Sequence, residues 1–197
     1  MDYPNDYIEK QDDVVKRNFE NFIRGLNNAI NVKRIAYIIK MCKNARKILD
    51  VGSGGYLPFI TGANYAIDIS PLAGDLLARI GWKGEFKVAD CTAIPYPDKY
   101  FDFAYCTEVI EHLPTLDHVK KTISELDRVA ITWLITTPAA SEFGKRDRWN
   151  TEPDHRLFID IDTLYKLVKP YNAVVWKEDL TLYAVKYAKK TRTEINI

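Results

Sequence analysis

An apolar strand that runs straight into a glycine cluster admits few folds, and this chain has one in Ile48-Leu49-Asp50-Val51 followed by Gly52-Ser53-Gly54-Gly55. Eighteen residues after Asp50 a second acid, Asp68, ends another short apolar run, Asn64-Tyr65-Ala66-Ile67-Asp68. Glycines let the backbone approach a ligand closely, and an acid at the next strand tip can accept both hydroxyls of a ribose. The pair therefore predicts a nucleoside-binding sheet edge. A dinucleotide fingerprint needs a third glycine for close packing of helix on strand, and Leu57 stands at that place.

From Lys47 onward the chain alternates strand and helix patterns. Strands are expected at Lys47–Val51, Asn64–Asp68, Glu85–Ala89, Phe101–Cys106 and Val129–Thr136. Ser70 reads as the N-cap of a helix opened by Pro71 and stopped at Gly81, and Leu116, Val119, Ile123 and Leu126 mark another amphipathic helix. Only 15 residues separate Val51 from Ile67, so the first crossover helix must be very short, about Tyr56–Thr61. Such alternation implies a parallel sheet with helices on both faces. The end differs: Asn172–Lys177 and Thr181–Tyr187, joined by Glu178-Asp179-Leu180, read as a hairpin that adds one antiparallel strand. Ahead of the sheet, Val15, Phe19, Phe22, Leu26 and Ile30 form a helical stripe. Val32, Ile35 and Ile39 suggest a second helix after the break at Asn27–Asn31.

Motif by motif, this stretch resembles the class I S-adenosylmethionine-dependent methyltransferases, in the subgroup that includes small-molecule enzymes. Asp50-Val51-Gly52-Ser53-Gly54 is similar to their first motif, Asp68-Ile69-Ser70-Pro71 to the second, and Phe86-Lys87-Val88-Ala89-Asp90-Cys91 to the third. Phe101–Cys106 followed by Thr107-Glu108-Val109-Ile110-Glu111-His112-Leu113-Pro114 resembles the fourth. The resemblance covers about Ile48 to Tyr187. It implies a doubly wound, Rossmann-like α/β sheet of seven strands, mostly parallel, with one antiparallel C-terminal strand. It implies S-adenosyl-L-methionine as cofactor, held by Asp50, Gly52, Ser53, Gly54, Asp68, Ile69, Asp90, Cys91 and Cys106. Within that set Asp68 takes the ribose, Asp90 accepts from the adenine amino group, and Cys91 donates from its backbone. Many members carry a glycine two places after the second; this chain has Tyr56 there and Gly55 one place early. Residues 1–45 then read as a helical cover, 46–190 as the cofactor-binding domain and 191–197 as a tail.

On the acceptor side, His112 and His155 are the candidate catalytic bases. His155 belongs to Asp154-His155-Arg156-Leu157-Phe158, at the end of a long polar stretch from Pro138 to Ile159 that reads as a lid or binding segment. Trp149 in that stretch is a candidate stacking group. The expected partner is a small-molecule acceptor. Nucleic acid is disfavoured, since 28 basic and 27 acidic residues leave a net charge of +1, and no Asn-Pro-Pro-Tyr follows the fourth strand. The polar start does not read as a signal peptide, and no apolar run approaches the roughly 18 residues that span a bilayer. Cys42, Cys91 and Cys106 lack metal spacing, so no metal centre is expected and a cytoplasmic location with reduced thiols is. Two other readings stand beside methyl transfer: an NAD-dependent oxidoreductase, and a non-catalytic cofactor-binding interaction protein.

Overall fold

The computed structural model describes residues 3–4, 6–23, 29–140 and 154–188. Two helices, α1 (Tyr7–Ile23) and α2 (Ala29–Cys42), precede the sheet. There follow β1 (Ile48–Val51), α3 (Leu57–Thr61), β2 (Tyr65–Asp68), α4 (Pro71–Arg79), β3 (Glu85–Val88) and β4 (Phe101–Thr107). A 3-10 turn at Ile110–His112 leads into α5 (Leu116–Val129), β5 (Ala130–Pro138), α6 (Ile161–Val168), β6 (Val174–Glu178) and β7 (Thr181–Lys186). The seven strands form one sheet in the order β3-β2-β1-β4-β5-β7-β6. β7 runs antiparallel to both of its neighbours, and the pairs among β1 to β5 are parallel.

The expected sheet is therefore present, with small shifts at its ends. α5 runs through Val129, so β5 begins one residue late and extends to Pro138. Ile30 belongs to the second helix rather than to the first stripe, because α2 starts at Ala29, inside the asparagine-rich break. Ser70 occupies the N-cap position of α4 but its hydroxyl makes no cap bond; it donates to the Asp12 carboxylate instead.

Strand alternation sorts the core into two layers. Leu49, Val51, Ala104 and Cys106 point to the layer shared with Val119, Ile123 and Leu126 of α5 and Leu164 and Val168 of α6. Ile48, Phe103 and Tyr105 point to the other layer, with Ile38 and Cys42 of α2 and Leu57 of α3. β1 is buried along its whole length, as a central parallel strand covered on both faces must be. Asn64 ties the entry of β1 to that of β2: its Oδ1 accepts from Ile48 N–H at 2.9 Å and its Nδ2 donates to the Arg46 carbonyl at 2.7 Å.

The chain winds outward from β1 through β2 to β3 and then returns to β4 on the other side of β1. The loops after β1 and β4 thus part in opposite directions, and open α/β sheets bind ligands in the crevice left there.

Candidate active site

The loop after β1 turns on glycines. Gly52, Gly54 and Gly55 all have positive φ, at 74°, 59° and 84°, which costs L-residues with a Cβ about 1–2 kcal/mol. A Cβ on Gly52 would lie 2.4 Å from Cγ2 of Val109, and one on Gly55 would lie 3.0 Å from Cβ of Leu76 in α4. Gly55, the residue that departs from the family spacing, thus supplies a close approach between the loop and a helix. The loop is pinned to β2 by Gly52 and Ser53 N–H groups donating to the Ile67 carbonyl at 2.9 and 3.2 Å.

Asp68, at the tip of β2, faces this loop. Its Oδ2 accepts from Gly54 N–H at 3.0 Å and its Oδ1 from Ser70 N–H at 2.9 Å. Burial pushes its pKa up to about 6 against the pull of these backbone donors. A carboxylate has about four acceptor sites, so two remain for ligand hydroxyls. Asp90, after β3, accepts from Thr92 N–H at 2.7 Å and from the Tyr3 hydroxyl at 2.8 Å.

Gly52, Gly54, Asp68, Ile69, Asp90, Cys91 and His112, all expected at the site, line one cleft. Asp50, Ser53, Cys106 and His155 do not. Asp50 is wholly buried on the side of β1 that faces α2 and α3, where desolvation raises its pKa well above the usual carboxylate range. Ser53 is turned inward, and Cys106 packs in the opposite layer with its thiol held protonated by burial. Alternation along β1 and β4 aims Asp50 and Cys106 into the core.

Helix α1 roofs the cleft. Tyr7, Gln11, Val14 and Val15 contribute to its wall. Tyr3 stacks on Tyr7 with ring centroids 4.4 Å apart. Val15 and Phe19 pack on Ala73 and Leu76 of α4. Arg17 holds Asp154 at 2.8 Å. The helical stripe foresaw an amphipathic cover; it gave no signal that Tyr3 reaches the acid after β3.

The far end of the cleft is built from the turn after β4. Glu108 adopts φ 55°, a strained conformation for a residue with a side chain. Its Oε1 accepts from Thr136 at 2.8 Å and from the buried Arg34 at 3.0 Å. Glu111 is 1% exposed; its Oε2 accepts from Thr137 at 2.9 Å, while its Oε1 has no hydrogen-bond partner among the described residues. His112 Nδ1 lies 3.2 Å from the Asp154 carbonyl. A carbonyl only accepts, so Nδ1 carries the proton and Nε2 keeps its lone pair. Burial, with the neighbouring His155, lowers the pKa of His112 to about 4, so the ring is neutral near neutrality. The two rings meet edge to face at 5.0 Å. Arg156 and Leu157 N–H groups both donate to the Glu111 carbonyl, at 2.8 and 2.9 Å, which brings residue 155 beside residue 112. Trp149 lies outside the described residues. The polar pair Glu108 and Glu111 sat in plain view in the fourth motif; Arg34 had no sequence signal.

The domain is an open α/β sheet with a cleft at the β1/β4 switch point, the place where sheets of this kind bind ligands. Residues 49–132 match the family model of a methyltransferase domain. Over 81 residues the chain is 37% identical to phosphoethanolamine N-methyltransferase 3 of Arabidopsis thaliana; that match takes in 36% of this chain and 16% of the plant protein. In fold it is similar to a protein from Pyrococcus horikoshii (TM-score 0.63, 19% identity, 83% of this chain and 93% of that one). It is also similar to an S-adenosylmethionine-dependent methyltransferase from Clostridium acetobutylicum (TM-score 0.61, 14% identity, 88% and 97%). The donor set suits the cofactor of this class: a loop that lets backbone approach, an acid with spare acceptor sites at Asp68, and a second acid at Asp90.

Proposed function

We propose that this chain transfers a methyl group from S-adenosylmethionine to a small-molecule acceptor at the His112–His155 end of the cleft. The observation that carries the reading is the Gly54–Asp68 bond: an N–H of the glycine loop donates to the buried carboxylate at the tip of β2, which keeps acceptor sites for ribose hydroxyls. The cofactor supplies a methyl already activated on a sulfonium, so alignment and exclusion of water are what a protein must add.

Gly52 and Gly54 give the backbone room, Asp68 fixes the ribose, and Asp90 accepts from the base. α1 supplies part of the cleft wall, which supports a small acceptor over a polymer. His112 is held in one tautomer by the Asp154 carbonyl, so its Nε2 lone pair can accept a hydrogen bond from the acceptor. His155 stands beside it. The plant relative's name supports including phosphoethanolamine among the acceptors tried.

The test is calorimetric binding of S-adenosylhomocysteine to the full chain, followed by transfer of a labelled methyl to a panel of amines, alcohols, carboxylates and phosphoethanolamine. The reading predicts micromolar-range binding that Asp68→Ala weakens by about 1.5–3 kcal/mol. Equal affinity for both proteins would remove Asp68 from the site, and no binding by the wild type would remove the proposal.

A further inference from the structure

Glu111, His112 and His155 each offer a ligand atom, and these atoms all lie within 4.8 Å of one another. From this geometry we infer a divalent-cation site at the His112 end of the cleft, with two imidazoles and one carboxylate as its protein ligands.

The distances suit an ion. Bonds of about 2.0–2.2 Å to a shared cation place ligand atoms roughly 3–3.5 Å apart, so small rotations about side-chain bonds close the set. The surroundings suit one as well. His112 presents Nε2 because Nδ1 donates to the Asp154 carbonyl, and Glu111 presents Oε1 because Oε2 is engaged by Thr137. Ligating histidines and carboxylates elsewhere are oriented by the same kind of outer hydrogen bond. The two backbone bonds from Arg156 and Leu157 to Glu111 hold the two ligand segments together without the ion.

Packing alone does not account for Glu111. A buried carboxylate oxygen without a donor is costly, and it sits in a region where Arg34 is already engaged by Glu108. A divalent cation supplies the missing partner and the missing charge. Two imidazoles with one carboxylate favour a first-row ion such as Zn2+, Mn2+, Fe2+ or Co2+ over Mg2+ or Ca2+, which prefer all-oxygen shells. Three protein ligands leave at least one coordination position, and His112 lines the cleft, so that position opens toward it. An acceptor with an oxygen donor would be held there; this role, unlike ion binding, rests on the methyl-transfer reading.

The experiment is a Co2+ titration of chelator-treated full-length protein, followed by visible absorption. The expected result is one equivalent bound with the d–d bands of nitrogen–oxygen coordination. His155→Ala, at a partly exposed position, should keep the fold by circular dichroism and weaken binding by at least about 10-fold. Glu111→Gln should do the same, and His118→Ala, at the third histidine, should leave binding unchanged. Wild type that binds no Co2+, or variants of His155 and Glu111 that bind it as wild type does, would overturn the site. S-adenosylhomocysteine calorimetry on the same samples separates the two readings. Cofactor binding without Co2+ binding sinks only the metal site, and the reverse sinks only the cofactor assignment.

Discussion

Asp68→Asn should separate the stability of this protein from its ligand chemistry. In the folded chain Asp68 is 7% exposed and its pKa stands at about 6, against 3.8 for the unperturbed group. The sign follows from proton counts. Between these two values the folded state binds more protons than the unfolded one, so stability falls as pH rises; below 3.8 the term vanishes, and above 6 it is constant. The plateau amounts to about 3 kcal/mol against the folded state at neutral pH. Asparagine has no such term. It does lose one of the two backbone N–H bonds, at a cost of roughly 1–3 kcal/mol, and that cost does not depend on pH. The net effect at one pH is therefore small, and the decisive quantity is its change with pH. Urea unfolding of both proteins should show the variant gaining about 2–3 kcal/mol on wild type between about pH 4 and pH 7.5. The same variant should bind S-adenosylhomocysteine at least about 10-fold more weakly, through loss of a charged acceptor. A stability difference that stays flat across that pH range would refute the reasoning, because the carboxylate would then not be ionising against its burial.

Gly52→Ala and Gly62→Ala make a matched pair: both glycines have positive φ, but only at Gly52 would the new Cβ meet Val109, at 2.4 Å. Urea unfolding should show about 1–2 kcal/mol lost at Gly62 and about 1–3 kcal/mol more at Gly52. Arg34→Met should destabilise by about 3 kcal/mol because it leaves the Glu108 carboxylate unpaired, and adding Glu108→Gln should recover much of the loss in the same assay. Tyr3→Phe frees Asp90 of a phenolic donor while keeping the ring, so calorimetry should show roughly 2- to 10-fold tighter cofactor binding. An inosine analogue, which offers Asp90 an acceptor in place of the amine, should bind more weakly than the adenosine form to both.

Much of this was legible in the sequence because the signals are local. Four buried residues followed by glycines specify β1 and its turn, and an acid at a strand tip is a position that neighbouring residues define. The hairpin at the C-terminus announced itself by two strands too close for a crossover. What stayed hidden depends on which way side chains face and on contacts distant in the chain. Asp50 and Cys106 sit at strand ends near the site, yet alternation turns both into the core. Tyr3 meets Asp90 across 87 residues, and no local pattern encodes that meeting. Glu108 and Glu111 were visible as letters, but their engagement with Arg34, Thr136 and Thr137 exists only once α2 and β5 are in place.

The sheet order has a consequence for how the protein is made. β7 lies between β5 and β6, so residues 181–186 fill a slot between strands made earlier. A nascent chain that has emerged only as far as residue 180 can assemble β1 to β5, but β6 has no neighbour to pair with. The edge of β5 at Trp133, Leu134 and Ile135 is then uncovered, although all three are fully buried in the finished fold. An apolar strand edge of this kind templates pairing with other chains. A neighbouring copy's β7 has the same sequence and can fill the same slot, a route to segment exchange. Pausing of translation before Thr181 should therefore be the step at which the chain most needs a chaperone.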